Sequence, residues 1–206
     1  MIPYSALILA GGQGQRMGGQ DKGWVTYQQR PLIEWALDII HSQTWPPEAI
    51  YLSANRHLDA YRALGYPVLT DATPDFLGPL AGVLAGLAQS PTEWMWVIPC
   101  DAVQLPSSVA QTLFEVVQAQ NVQAVTAIDG EGRWHPVILA VHRQTYPQLA
   151  AYLAAGGRSI RGWLATLSHE SVTFSVPFPN ANDLQALAAD AVSGTLSAVN
   201  RPRTLP

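Results

Sequence analysis

Charge is scarce in this chain. Only 13% of its 206 residues are Asp, Glu, Lys or Arg, about half the share typical of soluble domains. Lys and Arg total 11 against 15 Asp and Glu. A nucleic-acid binder needs a basic face to displace counterions from phosphates, so eleven scattered cations exclude that class and suffice for one small anion site. Cysteine is nearly absent: Cys100 stands alone, which excludes an internal disulfide and suits a reducing compartment. Long apolar runs are missing as well. The run at residues 6–10 stops at Gly11, too short for a signal peptide or a membrane span. The expectation is a soluble cytoplasmic protein without a membrane partner.

Apolar residues are plentiful at 48%, enough for a packed core and incompatible with bulk disorder. Short apolar runs and amphipathic stretches alternate. Runs at 6–9, 50–52, 67–69, 94–98, 124–128, 137–141 and 172–176 read as strands. Helical spacing predicts helices at 32–40, behind Pro31, and at 57–64, 78–89, 107–118, 146–155, 159–167 and 184–189. This order implies an α/β layer fold with a mostly parallel sheet. One domain over 1–190 is expected. Residues 191–206 have little apolar periodicity and read as a poorly ordered tail.

In open α/β sheets ligands bind beyond the carboxyl ends of strands, where strand order reverses. The unusual residues follow the predicted strands in that manner. After the first comes Leu9-Ala10-Gly11-Gly12-Gln13-Gly14-Gln15-Arg16-Met17-Gly18-Gly19, with five glycines, then Asp21-Lys22-Gly23. A loop without Cβ atoms lets backbone N–H groups approach an anion, and Arg16 and Lys22 supply charge for a polyphosphate. It is not a Walker A loop, since Gln20 follows Gly19, and the dinucleotide-binding pattern fails because Met17 stands where a third glycine is needed. The bland alternative is a flexible turn with two solvated cations. Ser53-Ala54-Asn55-Arg56, Asp71 and Asp101 follow the next three strands.

Asp101, after Pro99-Cys100, suits Mg²⁺, which keeps several waters and bridges to phosphates; alternatively it caps the helix that starts near Ser107 or starts a turn. Cys100 reads as a small buried hydrophobe rather than a nucleophile. Gly78-Pro79-Leu80-Ala81-Gly82 opens a helix whose N-terminus can attract an anion or simply pack closely. His135-Pro136 reads more readily as structural than catalytic. Arg158 and Arg161 flank a Gly-Gly break, either as anion ligands or as solvated cations, and Asn182 is a good helix N-cap.

Taken together, these motifs resemble the molybdenum cofactor guanylyltransferases over roughly residues 6–190. The resemblance rests on the glycine loop with Asp21-Lys22-Gly23, on Ala54-Asn55-Arg56, Gly78 to Gly82 and Pro99-Cys100-Asp101, and on His135-Pro136 and Asn180-Ala181-Asn182. It implies a three-layer Rossmann-like nucleotidyltransferase fold, Mg²⁺, and transfer of GMP from GTP to molybdenum-carrying molybdopterin with release of pyrophosphate. It places Leu9, Ala10, Gly11, Gly12, Lys22, Ser53, Asn55, Asp71 and Asp101 at the nucleotide, with Asp101 also on the metal. Lys22 and Arg16 would neutralise the triphosphate, and the domain would divide into a nucleotide half to about 105 and a pterin-substrate half over about 106–190. The pterin is expected at Asn180 and Asn182 with Arg158 and Arg161, and other cofactor-biosynthesis or acceptor proteins are implied partners. Ser53 departs from relatives that carry Asn there. Competing readings are a cytidylyltransferase for the same pterin, whose members tend to carry Ala at the position of Gly11, a sugar-phosphate nucleotidyltransferase, and a nucleotide-binding regulator.

Overall fold

The computed structural model describes residues 1–11, 21–71, 78–181 and 184. Gly12, Arg16, Asn182, the helix expected at 184–189 and the tail at 191–206 lie outside the described residues, Leu184 apart.

Strand β1 (Tyr4–Leu9) is buried along its whole length, so its apolar residues must serve two faces at once. Beside it run β4 (Ala49–Ser53) and β6 (Trp94–Pro99), both parallel to it. The short β5 (Val68–Leu69) extends the sheet beyond β4. On the other flank follow β8 (Trp134–His142), β7 (Ala124–Ile128) and β9 (His169–Thr173), giving the order β5-β4-β1-β6-β8-β7-β9. The mostly parallel α/β sheet expected from the sequence is therefore present.

Alternation along the strands sorts the core into two layers. Tyr4, Ala6 and Ile8 of β1 and Trp96 and Ile98 of β6 face helices α1 (Leu32–His41) and α4 (Val109–Gln120). Leu7, Leu9, Met95 and Val97 face α3 (Pro79–Gln89), α5 (Tyr146–Ala154) and α6 (Ile160–Leu164). The short α2 (Leu58–Arg62) follows β4. Among the described residues no helix is long and apolar enough to cross a membrane.

Four strands differ from the sequence expectation. Strand β8 runs antiparallel to both β6 and β7. The tight turn after β7 forces this, because only antiparallel neighbours can be joined by so short a link. Strand β9 ends three residues before the expected strand does; Val172 and Phe174 alternate as a strand should, but the ladder with β7 runs over 169–173. A two-stranded hairpin, β2 (Thr26–Tyr27) with β3 (Arg30–Pro31), was not expected.

Chain order reverses at β1. From β1 the chain goes outward to β4 and β5, then returns to place β6 on the opposite side of β1. The crevice beyond the carboxyl ends of β1 and β6 is the switch point of this sheet, where such folds bind ligands.

Candidate active site

Two segments meet at that crevice. Past the end of β1, Ala10 and Gly11 donate their N–H groups to the carbonyl of Ser53, at 2.9 and 2.8 Å. These amides are thus already used, and Leu9, Ala10 and Gly11 offer a ligand close backbone approach rather than free donors. A Cβ on Gly11 would meet Ala54 Cα at 3.4 Å and Asn55 Nδ2 at 3.5 Å, ordinary contact distances. Ser53 is buried. Its hydroxyl lies under α3, where a Cβ on Gly82 would overlap it. Asn55 clamps Asp71: its Nδ2 donates to Asp71 Oδ2 at 2.8 Å and its Oδ1 accepts the Asp71 N–H at 2.9 Å. Burial pushes the Asp71 carboxyl above its ordinary value, and the bond from the Asn55 amide offsets only part of that rise.

Past the end of β6, Asp101 forms an ion pair with Lys22, Nζ to Oδ2 at 2.7 Å. Lys22 opens a short 3-10 turn, Lys22–Trp24. Asp21 anchors this turn, accepting the N–H of Gly23 at 3.2 Å and the Tyr61 hydroxyl at 2.6 Å. His57 Nδ1 lies 3.1 Å from its other oxygen. Burial, followed by the bond to Asp21, pushes the Tyr61 hydroxyl far above its ordinary value. His57 and Tyr61 were not singled out from the sequence, and Asp21 was quoted only within the Asp21-Lys22-Gly23 motif, without a role of its own. The one signal for Asp21 was an Asp directly before the turn, the residue type that caps an N-terminus.

Cys100 is 1% exposed, and burial pushes its thiol up to about 12. A thiol so hard to ionise is not a nucleophile at neutral pH.

Lys22 and Asp101 open into a cleft of about 290 Å³ that also reaches Trp134, His135, Phe178 and Asn180. Asn180 is brought there by an isolated bridge to Ala102, while Ala181 N–H donates to the Asp101 carbonyl at 3.1 Å. The two arginines part company. Arg161 stacks its guanidinium over the Trp134 ring, 5.0 Å from the centroid, behind one wall of this cleft. Arg158 turns back to cap α5, donating to the carbonyls of Leu153 at 2.9 Å and Gly157 at 2.6 Å.

Asp129 has no exposed side-chain surface. Its Oδ1 accepts the N–H groups of Glu131 at 3.0 Å and Arg133 at 2.9 Å, closing the turn between β7 and β8. Its Oδ2 accepts from His135 Nε2 at 2.9 Å and Phe178 N–H at 3.4 Å. Burial pushes this carboxyl up, but the bonds from His135, Arg133, Glu131 and Phe178 outweigh it and hold it at about 2.

The MobA-like NTP transferase domain family covers residues 6–172 of the chain. A molybdenum cofactor guanylyltransferase of Cupriavidus metallidurans is 40% identical over 189 residues, which span 89% of this chain and 92% of the relative. The chain belongs to the molybdenum cofactor guanylyltransferases. Solved structures share the fold. Molybdopterin-guanine dinucleotide biosynthesis protein A from Archaeoglobus fulgidus superposes with a TM-score of 0.66 at 18% identity, over 92% of this chain and 89% of that one. A Mycobacterium tuberculosis protein solved in complex with manganese superposes at 0.61 and 14% identity, over 84% and 88%. As a guanylyltransferase the chain is a nucleotidyltransferase enzyme, and the crevice at the β1/β6 switch point is its candidate active site.

Proposed function

We propose that the protein transfers GMP from GTP to molybdenum-carrying molybdopterin, forming the guanine dinucleotide cofactor and pyrophosphate. The observation that carries the site assignment is the Lys22–Asp101 pair at the switch point, facing the same cleft as Asn180. The terminal phosphate of the pterin attacks the α-phosphorus of GTP; a P–O bond forms as the bond to the departing pyrophosphate breaks. That phosphate is already anionic at neutral pH, so no general base is needed. The obstacle is electrostatic, because two anions must meet in line.

Lys22 is the described cation at the crevice, and Arg16, outside the described residues, is assigned to the same triphosphate. Leu9, Ala10, Gly11 and Gly12 give the nucleotide close backbone approach, while Asn55 and Asp71 stand beyond the adjoining strands. Asp71 is the assigned acceptor for the guanine N1–H or N2–H₂, and the Ser53 carbonyl holds the loop that would face the base. Among the described residues no three His, Cys, Asp or Glu cluster to cage a metal. A single carboxylate at a phosphate site still fits Mg²⁺, which binds through one or two carboxylates plus substrate oxygens. Asp101 would hold it, and when bound it would neutralise charge on the triphosphate. Asn180 and Asn182 are assigned to the pterin ring, whose donors and acceptors an amide can match, with Arg161 behind the cleft wall. Arg158 contributes by bracing α5. The lone, buried Cys100 supports a reducing, cytoplasmic setting.

The test is incubation with molybdopterin, Mg²⁺ and each of GTP, CTP and ATP, following pyrophosphate release. Turnover with GTP well above the others is expected; equal or faster turnover with CTP would replace this reading with the cytidylyl one.

A further inference from the structure

The Asp129–His135 pair is more than the turn requires. Oδ1 of Asp129 alone closes the link between β7 and β8, through the N–H groups of Glu131 and Arg133. The other oxygen lies 2.9 Å from His135 Nε2 and 3.4 Å from Arg133 Nε, so it holds the ring as well as the turn's own arginine. An ionised carboxylate can only accept, so Nε2 carries a proton and the ring presents Nδ1 as its remaining polar atom. When Nδ1 also carries a proton, the ring can donate to an anion there. His135 itself is not buried away: its side chain is 23% exposed, it packs against Phe178 with centroids 5.6 Å apart, and it lines the cleft that Lys22 and Asp101 open into.

Among its described residues the cleft has few other means of holding an anion. Of its described lining residues only Lys22 and His135 are basic, and Lys22 is matched by Asp101 at 2.7 Å. Lys22, Arg16 and a metal on Asp101 are already assigned to the GTP triphosphate, so the pterin phosphate needs a partner of its own. Asp129 ties the second basic group to the segment leading to Asn180, since it also accepts the Phe178 N–H.

We infer that His135, oriented by Asp129, binds the terminal phosphate of the pterin substrate in the cleft beside Lys22 and Asp101. The inference rests on the guanylyltransferase reading and adds the group that receives the attacking phosphate. His135 is then a substrate-binding residue and Asp129 a positioning residue.

Equilibrium titration decides it, with molybdopterin, its dephosphorylated form and GTP each added to wild type, His135→Ala, His135→Asn and Asp129→Asn, and with folding of every variant checked by circular dichroism. Loss of one charge-assisted bond predicts about tenfold weaker molybdopterin binding in His135→Ala, with GTP affinity unchanged. His135→Asn recovers part of the loss, because its amide offers an N–H near the position of Nδ1. Dephosphorylated pterin binds wild type and His135→Ala alike. If Asp129→Asn does not fold, the His135 variants still decide. Unchanged molybdopterin affinity in folded His135→Ala overturns the inference, as does an equal loss for the dephosphorylated pterin. Failure of wild type to bind molybdopterin overturns it together with the guanylyltransferase reading. Turnover with CTP in place of GTP overturns only the nucleotide choice and leaves the His135 titration decisive.

Discussion

Lys22 and Asp101 come from segments some eighty positions apart and meet only because β1 and β6 are neighbours across a reversal of strand order. Each neutralises the other. In the proposed reaction Lys22 would pair with phosphate and Asp101 would hold the metal, so that neither charge would be left stranded. Asp101→Asn keeps the shape and removes the charge. Its turnover is expected to fall ~10²–10³-fold, the usual cost of losing one preorganised electrostatic contact, with the melting temperature near wild type. Near-normal turnover with unchanged Mg²⁺ dependence would reject the assignment. Gly11 makes the complementary case. An added methyl there meets only ordinary contacts, so Gly11→Ala should fold with stability within about 0.5 kcal/mol of wild type, as for substitutions away from strained or tightly packed sites. Its effect should appear instead in the ratio of GTP to CTP turnover, which should fall. A drop in melting temperature with an unchanged ratio would make Gly11 a packing residue.

Helix α3 shows how an element sets the floor of the site. Gly78 before it has φ 74° and ψ −163°, a conformation essentially restricted to glycine. Gly82, one turn in, lets the helix lie directly on β1 and β4: a Cβ there would overlap the Ser53 hydroxyl and stand 2.8 Å from a Leu9 methyl. Gly82→Ala gains about 1 kcal/mol of helix propensity but overpacks this contact at about 1–3 kcal/mol. The expected balance is a lower melting temperature, by about 2–4 °C for a chain of this size. Because Ser53 holds Ala10 and Gly11 through its carbonyl, KM for GTP should rise as well. A variant as stable as wild type with unchanged KM would show that α3 does not fix the loop.

Some elements were legible in the sequence and others were not. β1 and β6 could be read because central strands are apolar on both faces. The β2–β3 hairpin could not, since two-residue strands carry no period and its turn uses Gln28 and Gln29 at φ 47° and 65° rather than the Asn-Gly or Asp-Gly that marks such turns. β9 sits at an edge with mostly exposed residues, so its apolar alternation at Val172 and Phe174 misplaced its end. At the site, Lys22, Asp71 and Asp101 were legible as polar residues following strands. The Asp21 anchor and the Asp129–His135 pair were not, because their partners are set by how α2 and the β7–β8 turn fold back.

On the scale of the whole molecule, the two substrate halves share one sheet. The first contributes β5, β4, β1 and β6, the second β8, β7 and β9, and the seam is the antiparallel ladder pairing Trp94 with His142 through Val97 with Leu139. Neither core layer respects the division near residue 105. One joins Ile8 and Ile98 to Phe114, Val125 and Ala140, the other joins Leu7 and Met95 to Leu139, Leu149 and Trp163. Separating the halves would expose both layers and strand the carbonyls and amides of β6 and β8, so neither half has a core of its own to retain. A single cooperative unfolding transition is therefore expected, even though the chain exceeds the ~150 residues below which two-state behaviour is usual. Urea unfolding followed by tryptophan fluorescence and by far-ultraviolet circular dichroism should give coincident curves. Single-tryptophan variants should make the test local: one retaining only Trp24 reports the nucleotide half, one retaining only Trp163 the other. Saturating GTP should move both curves to higher urea by the same amount, since a ligand that binds only the folded state stabilises everything that unfolds with its site. If GTP shifts the Trp24 transition and leaves that of Trp163 in place, the β6–β8 seam does not couple the halves and they are separate folding units.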